Sequence, residues 1–302
     1  MSDSSKEAHK IILTGASGLV GSKLSVHLSD LGFQVVPYKS RSQGPHAMCA
    51  VTGTIDKEGL EGALAVIHLA GESIAQSWTQ DVKSRIMSSR KDNTLLLSRT
   101  LAGLTHKPQV FISMSGINRY GTHRSDVLTE DSTCVVDGFL SEVSEAWEAA
   151  TAAVQAAGIR TVLLRTSLVL SAEGGGLAKM LPAFKCAVGG PIGGGKQQVS
   201  WIGMPDLLEL IVFAMNTPSI KGPLNATSPN PLPQAEFAQA LGKAVHRPAF
   251  IPLPAFAISL LFGKMGEETV LSDLAVFPAL ALSSGFVFRT PDLASTLEQA
   301  LQ

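Results

Sequence analysis

The chain is short of tyrosine, with two among 302 residues, and short of cysteine, with three. Charged residues reach only 16%, and basic residues never run beyond a pair or two. Each shortage excludes something. Cys49, Cys134 and Cys186 are odd in number and far apart, and none shows C-x-x-C or Cys/His spacing. No disulfide framework and no metal site is expected. The thiols are expected to be reduced and buried, in a reducing compartment, the cytoplasm. A net charge of −1 without a clustered positive footprint argues against a nucleic-acid partner. No apolar stretch nears the roughly 20 residues of a membrane span. The longest, AFAISLLFG at 255–263, reads as a buried helix segment. The polar start, MSDSSKEAHK, lacks the apolar core of a signal peptide and reads as a short frayed lead-in.

What is present is apolar residues, 45% of the chain. That suits one large α/β domain with a smaller lobe. IILT (11–14), QVVPY (34–38), AMCAV (47–51), AVIHLAG (65–71), QVFISMS (109–115) and TVLLRTSLVL (161–170) read as strands. Helical spacing runs through 22–32, closed by Gly32, and through roughly 79–104. EVSEAWEAATAAVQAAG (142–158) reads as one helix closed by Gly158. Strands alternating with helices predict a Rossmann-type, doubly wound parallel sheet, covered on both faces. After about residue 170 glycine and proline become dense. Residues 1–170 are therefore expected to form the nucleotide-binding domain, with later segments adding sheet elements. Residues 171–302 are expected to form a smaller C-terminal lobe closing over the carboxyl ends of the strands.

TGASGLVG (14–21) lies directly after the first strand and before the first helix. Gly15, Gly18 and Gly21 give G-x-x-G-x-x-G, with Ala16, Ser17, Leu19 and Val20 between them. Gly15 suits a tight turn, Gly18 a close approach to pyrophosphate, and Gly21 packing of helix against sheet. The helix N-terminus offers free N–H groups and partial positive charge to phosphates. An acid after the second strand would hold a ribose hydroxyl and favour NAD. Here the chain reads YKSRSQ, with no acid until Asp56. Lys39, Ser40 and Arg41 suit the 2′-phosphate of NADP.

TGASGLVG, HLAGESI (68–74), Trp78, SR (89–90), SMSG (113–116), WE (147–148), LLRTSLVLS (163–171) and GGPIGGGKQ (189–197) together resemble one group. It is the epimerase-like branch of the atypical short-chain dehydrogenase/reductases. GPLNATSPNP, EFAQALGKAVHRPAFIPLP and SGFVFRTPDLASTLEQAL resemble its C-terminal lobe. The resemblance covers almost the whole chain. It implies a Rossmann-type fold, NADP(H), and a small-molecule substrate, sugar-nucleotide-like or carbonyl, that it does not identify. Monomer and homodimer both stay open. It places Leu69, Ala70 and Gly71 against the adenine ribose, Arg90 within reach of a phosphate or ribose, and Arg165 near the nicotinamide. Glu72, at the same strand end, is a candidate base or ribose contact.

The wider superfamily uses a serine after the fifth strand and a Tyr-x-x-x-Lys pair on the next helix. The tyrosine moves a proton, and the lysine lowers its pKa. Ser115 fits the serine. Tyr38 is followed at +4 by Ser42 and Tyr120 by Arg124, so no such pair exists. Phe139 and Val143 stand in its place. Tyr120 is the alternative acid, with Arg119, His123 and Arg124 expected to depress its pKa. Two readings follow: an NADP(H)-dependent oxidoreductase or epimerase with an unusual proton donor, or a catalytically inactive NADPH-binding sensor.

Overall fold

The structure, a computed structural model, describes residues 9–302; the expected lead-in lies almost wholly outside them. The strands of the first half are β1 (Lys10–Thr14), β2 (Gln34–Ser40), β3 (Ala47–Cys49), β4 (Thr54–Ile55), β5 (Ala65–His68), β6 (Val110–Gly116) and β7 (His123–Leu128). Those of the second half are β8 (Arg160–Thr166), β9 (Leu168–Leu170), β10 (Gln198–Val199), β11 (Trp201–Gly203), β12 (Gly222–Ala226), β13 (Leu232–Pro233) and β14 (Asp273–Val276). The helices are α1 (Leu19–Asp30), α2 (Gln80–Ala102), α3 (Phe139–Ala149), α4 (Ala152–Ala156), α5 (Gly175–Lys185), α6 (Met204–Asn216), α7 (Gln234–Ala244), α8 (Ala255–Thr269), α9 (Ala279–Ser283) and α10 (Leu293–Leu301).

Eight strands form the central sheet in the order β12-β8-β6-β5-β1-β2-β3-β4. All its pairings are parallel except β3 with β4. The chain builds outward from β1 to β2 and β3, then returns to lay β5 on the other side of β1. Ligands in open α/β sheets gather at such a reversal, beyond the carboxyl ends of the strands. The central strands are apolar on both faces, as burial under two helix layers requires. One core cluster joins Ile11, Leu13, Ile67 and Ile112 to Leu24 and Leu28 of α1 and to Leu207 and Ile211 of α6. A second joins Ile12, Val66 and Phe111 to Leu97 and Leu101 of α2. A third joins Leu170 of β9 to Leu177, Leu181, Trp201, Phe237, Leu241 and Leu297 of the later segment. That segment also supplies β12 and α6 to the central sheet and its cover.

Several boundaries differ from those expected. α1 starts at Leu19 rather than residue 22, directly on the glycine loop, with Gly18 as its N-cap. The expected helix at 142–158 is two, because Thr151 is fully buried and turns its hydroxyl back onto the Glu148 carbonyl at 2.7 Å. Such back-bonding competes with the helix ladder. The expected strand at 161–170 breaks at Ser167, whose N–H and hydroxyl both donate to the Ala226 carbonyl. β8 stays in the central sheet, and β9 leaves it to pair with β11. AFAISLLFG is helical up to a break at Gly263, which kinks α8, but is not buried: Phe256 is 73% exposed and Leu260 82%, while Ile258 alone of its large side chains is buried. Nor are the thiols buried, since Cys49 and Cys134 are half-buried and Cys186 exposed, all three unpaired. No helix among the described residues is long and apolar enough to cross a membrane.

Candidate functional site

The glycine loop joins the carboxyl end of β1 to α1, and each glycine has a different steric reason. Gly15 has φ +75°, which disfavours a side chain, and a Cβ there would lie 2.8 Å from the Ala70 nitrogen. A Cβ on Gly21 would lie 2.1 Å from the Gly15 carbonyl oxygen, so α1 can pack this close only as glycine. Gly18 has an ordinary φ, and a Cβ there would meet only that carbonyl, at 3.3 Å. Its free side faces outward. Ala16, Leu19 and Val20 are half-buried, and Ser17 is exposed. No side chain caps α1, so its first N–H groups stay available to a ligand.

The basic turn lies at the end of β2, beside this loop. Lys39 is exposed, and the Ser40 hydroxyl is buried without a partner. Arg41 has φ +59° and donates from Nη2 to Glu72 Oε2 at 2.8 Å. Glu72, just past β5, is therefore an ion-pair partner, and the Arg41 guanidinium holds its carboxyl below the usual range. Gln76 Nε2 donates to its other oxygen at 3.3 Å, and its own N–H donates to Ser89 Oγ at 2.9 Å.

Leu69, Ala70 and Gly71 carry the chain off β5. Arg90 of α2 lies beneath this turn: a Cβ on Gly71 would sit 3.1 Å from its Cζ. The guanidinium stacks 5.0 Å from the Trp147 ring and donates to the Ile86 carbonyl at 3.3 Å. Burial pushes its pKa down to about 10, against the opposing pull of Glu72. It forms no salt bridge among the described residues. His68, on β5, has no exposed surface and shares a 2.6 Å hydrogen bond from Nδ1 with the Thr14 hydroxyl.

The ends of β6 and β8 meet in a polar network. Ser115 donates its hydroxyl to Glu148 Oε1 at 2.9 Å. Arg165, register partner of Ser115, donates from Nε and Nη2 to the two Glu148 oxygens, each at 2.8 Å. Burial pushes the Arg165 pKa down, and these bonds more than reverse it. Arg119 Nε lies 3.7 Å from Glu148 Oε2. Glu148, given no role by sequence alone, is the acceptor at the centre of this network. Only the WE pair hinted at it.

Tyr120 packs on this network with its ring 4.8 Å from Arg165 Cζ. It has no exposed surface and donates its hydroxyl to Asn225 Oδ1 at 2.8 Å. The expected lowering of its pKa is reversed: burial raises it, and Arg165 offsets only part. None of the neighbours named for that role bonds its hydroxyl, and Arg124 reaches only the Tyr120 backbone carbonyl, at 3.4 Å. Arg119 pairs with Glu145, Arg124 with Asp126, and His123 is exposed.

Phe139 opens α3, and Val143 follows one turn later. Both face α2 rather than a polar cleft. Val143 is buried against Val82 and Ile86. Phe139 meets Trp78 edge-on, ring centres 5.1 Å apart. Glu268 of α8 caps α3 by accepting the N–H of Phe139 at 3.1 Å and of Leu140 at 2.8 Å. An apolar cluster thus fills the place of the Tyr–Lys pair. Trp201 is a core residue with its indole N–H on the Asn230 carbonyl.

The model of the NAD dependent epimerase/dehydratase family matches residues 11–225, and a domain of unknown function matches 253–300. The epimerase family protein YfhF of Bacillus subtilis is 34% identical over 96% of this chain and 97% of its own length. The chloroplastic SDR39U1 homolog of Arabidopsis thaliana is 34% identical over 99% of this chain and 89% of its own length. The crystal structure of human SDR39U1 with NADPH aligns at a TM-score of 0.85 with 28% identity, covering 97% of this chain and 99% of that one. Likeness of this extent, over a sheet of this order, means that the chain belongs to the NAD-dependent epimerase/dehydratase family, in its atypical short-chain dehydrogenase/reductase branch.

Proposed function

We propose that this chain binds NADP(H) and acts as an oxidoreductase or epimerase-like enzyme on a small carbonyl or sugar-nucleotide-like substrate. The observation that carries the reading is the uncapped glycine loop beside a basic turn with no acid of its own, Glu72 reaching Arg41 from the end of β5. Gly18 is open where Gly15 and Gly21 are closed, as a pyrophosphate cradle requires. Lys39, Arg41 and the orphaned Ser40 hydroxyl supply charge and a donor where a 2′-phosphate would lie. Arg90, with a guanidinium beside Gly71 and no carboxylate bonded to it among the described residues, suits a phosphate or ribose. The NADPH in the related human structure points the same way. When bound, this cofactor supplies the hydride chemistry.

The protein's own share is binding, orientation and one proton. Ser115 is the candidate nearest the strand ends, and Glu148 accepts its hydrogen bond. Tyr120 would serve only if its bond to Asn225 were given up, so we place Ser115 ahead of it. Residues 171–302 are assigned the closing of the cleft. Lys23 of α1 reaches Glu173 at 2.5 Å, and Lys179 of α5 reaches the Ala75 carbonyl at 2.6 Å. Both link the glycine-loop side to that segment.

The apolar Phe139–Val143 face favours the second reading, an NADPH-binding sensor without turnover. Calorimetry with NADPH and NADH tests the binding, and NADPH oxidation over a panel of carbonyl compounds separates the two readings. Equal affinity for both nucleotides would remove the NADP assignment.

A further inference from the structure

Lys83 lies in the first turn of α2 with its ammonium 5.0 Å from the centre of the Phe139 ring and 5.7 Å from that of Trp78. It is half-buried, and among the described residues no carboxylate pairs with it and no acceptor takes its N–H groups. The position is not one that stability would select. A cation in the first turn opposes the helix macrodipole. The half-buried side chain lies over the rings by cation–π attraction and leaves the ammonium's three donors to solvent or to a ligand. The carboxylates nearby are otherwise engaged or turned out. Glu268 is held by two amide N–H groups of α3, and Asp81 is exposed.

The two rings are fixed in place. The Trp78 indole N–H donates to the Ile74 carbonyl at 2.9 Å, and Phe139 is pinned through its amide by Glu268. Both rings remain half-exposed. A rigid apolar wall therefore stands beside an ammonium with spare donors, at the helix position where the superfamily keeps its Tyr–Lys pair.

We propose that Lys83, Trp78 and Phe139 form the substrate-recognition site, taking a molecule with a flat or apolar body and an anionic group, a carboxylate or a phosphate. The body lies on the two rings, and the anion accepts from Lys83. The site rests on the reading of the chain as a cofactor-dependent enzyme, in which α3 is the helix that carries the superfamily's Tyr–Lys positions. Lys83 restores a positive charge that Val143 no longer brings, from α2 instead of α3.

The test uses the NADPH-loaded protein and three probes: benzoate, phenyl phosphate and neutral benzyl alcohol. Binding is read by tryptophan fluorescence and by calorimetry. Trp147 and Trp201 are buried, so the change in emission should come from Trp78 and vanish in Trp78→Phe. One anionic probe should bind saturably, at least tenfold tighter than the alcohol, and the preferred anion identifies carboxylate or phosphate. Lys83→Met keeps the apolar stem over the rings and should weaken that probe roughly 10- to 100-fold, the scale of one charged hydrogen bond. Lys83→Arg should stay within about threefold. Equal binding by Lys83→Met, or an alcohol as tight as both anions, would overturn the site. NADPH affinity is measured in the same samples. Its absence from the unmutated protein would strike the cofactor reading instead, and its persistence beside a failed probe would strike this site alone.

Discussion

Replacing Glu148 by alanine removes the carboxylate that binds Arg165 twice at 2.8 Å. Arg165 is only 4% exposed, and its Nη1 already lacks a partner. The variant would leave a buried guanidinium with nothing but the Tyr120 ring against it. Breaking a buried pair from one side costs about 3–5 kcal/mol, because the remaining charge is stranded. In a chain of this size each kcal/mol moves the melting temperature by roughly 2–4 °C. Glu148→Ala should therefore melt roughly 6–20 °C lower in calorimetric scans. The double variant Glu148→Leu with Arg165→Met removes both charges and keeps apolar volume. It should recover most of the loss, to within about 2 kcal/mol of the unmutated protein. Urea denaturation of Glu148→Leu, Arg165→Met and the double variant completes the double-mutant cycle. If the two single losses simply add in the double variant, or if Glu148→Ala costs less than about 1 kcal/mol, the pair is solvated and the burial argument fails.

Four further outcomes follow from the same structure. Gly18→Val should abolish nucleotide binding in a folded protein, whereas Gly21→Val should also unfold the loop, since its Cβ overlaps the Gly15 carbonyl; calorimetry and circular dichroism separate them. Lys39→Ala with Arg41→Ala should weaken NADPH about tenfold or more and NADH little, each charged contact being worth roughly 1.5–3 kcal/mol. Phe139→Tyr with Val143→Lys, which restores the superfamily pair on paper, should be destabilising by several kcal/mol in urea titrations, because Val143 is packed against Val82 and Ile86. His68 gives a pH dependence. Burial, helped by Arg90, lowers its pKa to about 4 from the usual 6.5, so the folded protein prefers it neutral. Its share of stability is full above pH 6.5 and is lost as pH falls toward 4, by roughly 3 kcal/mol. His68→Leu should flatten that part of a stability profile measured between pH 7 and 4.

The sequence alone determined the glycine loop, the strands of the parallel sheet and the absence of a Tyr-x-x-x-Lys pair. These are local facts. Gly15, Gly18 and Gly21 act within eight residues, strand and helix periods repeat over a few positions, and a missing residue type can be counted. Tertiary structure decided what side chains far apart in the chain do to one another. Arg41 meets Glu72 because β2 and β5 flank β1, which no spacing between them announces. Tyr120 looked free in an Arg-rich loop, but Asn225, brought in by β12, takes its hydroxyl. Glu148 stood out only as half of a WE pair until the register of β6 on β8 set Ser115 and Arg165 beside it. Lys83 carried no motif, and its ring partner Phe139 lies 56 residues on. The exposed AFAISLLF stretch is the converse case: its apolar residues predict burial, and only the packing shows that Ile258 alone of its large side chains achieves it. Burial and pairing are properties of neighbours, and in a crossover fold the neighbours are chosen by strand order.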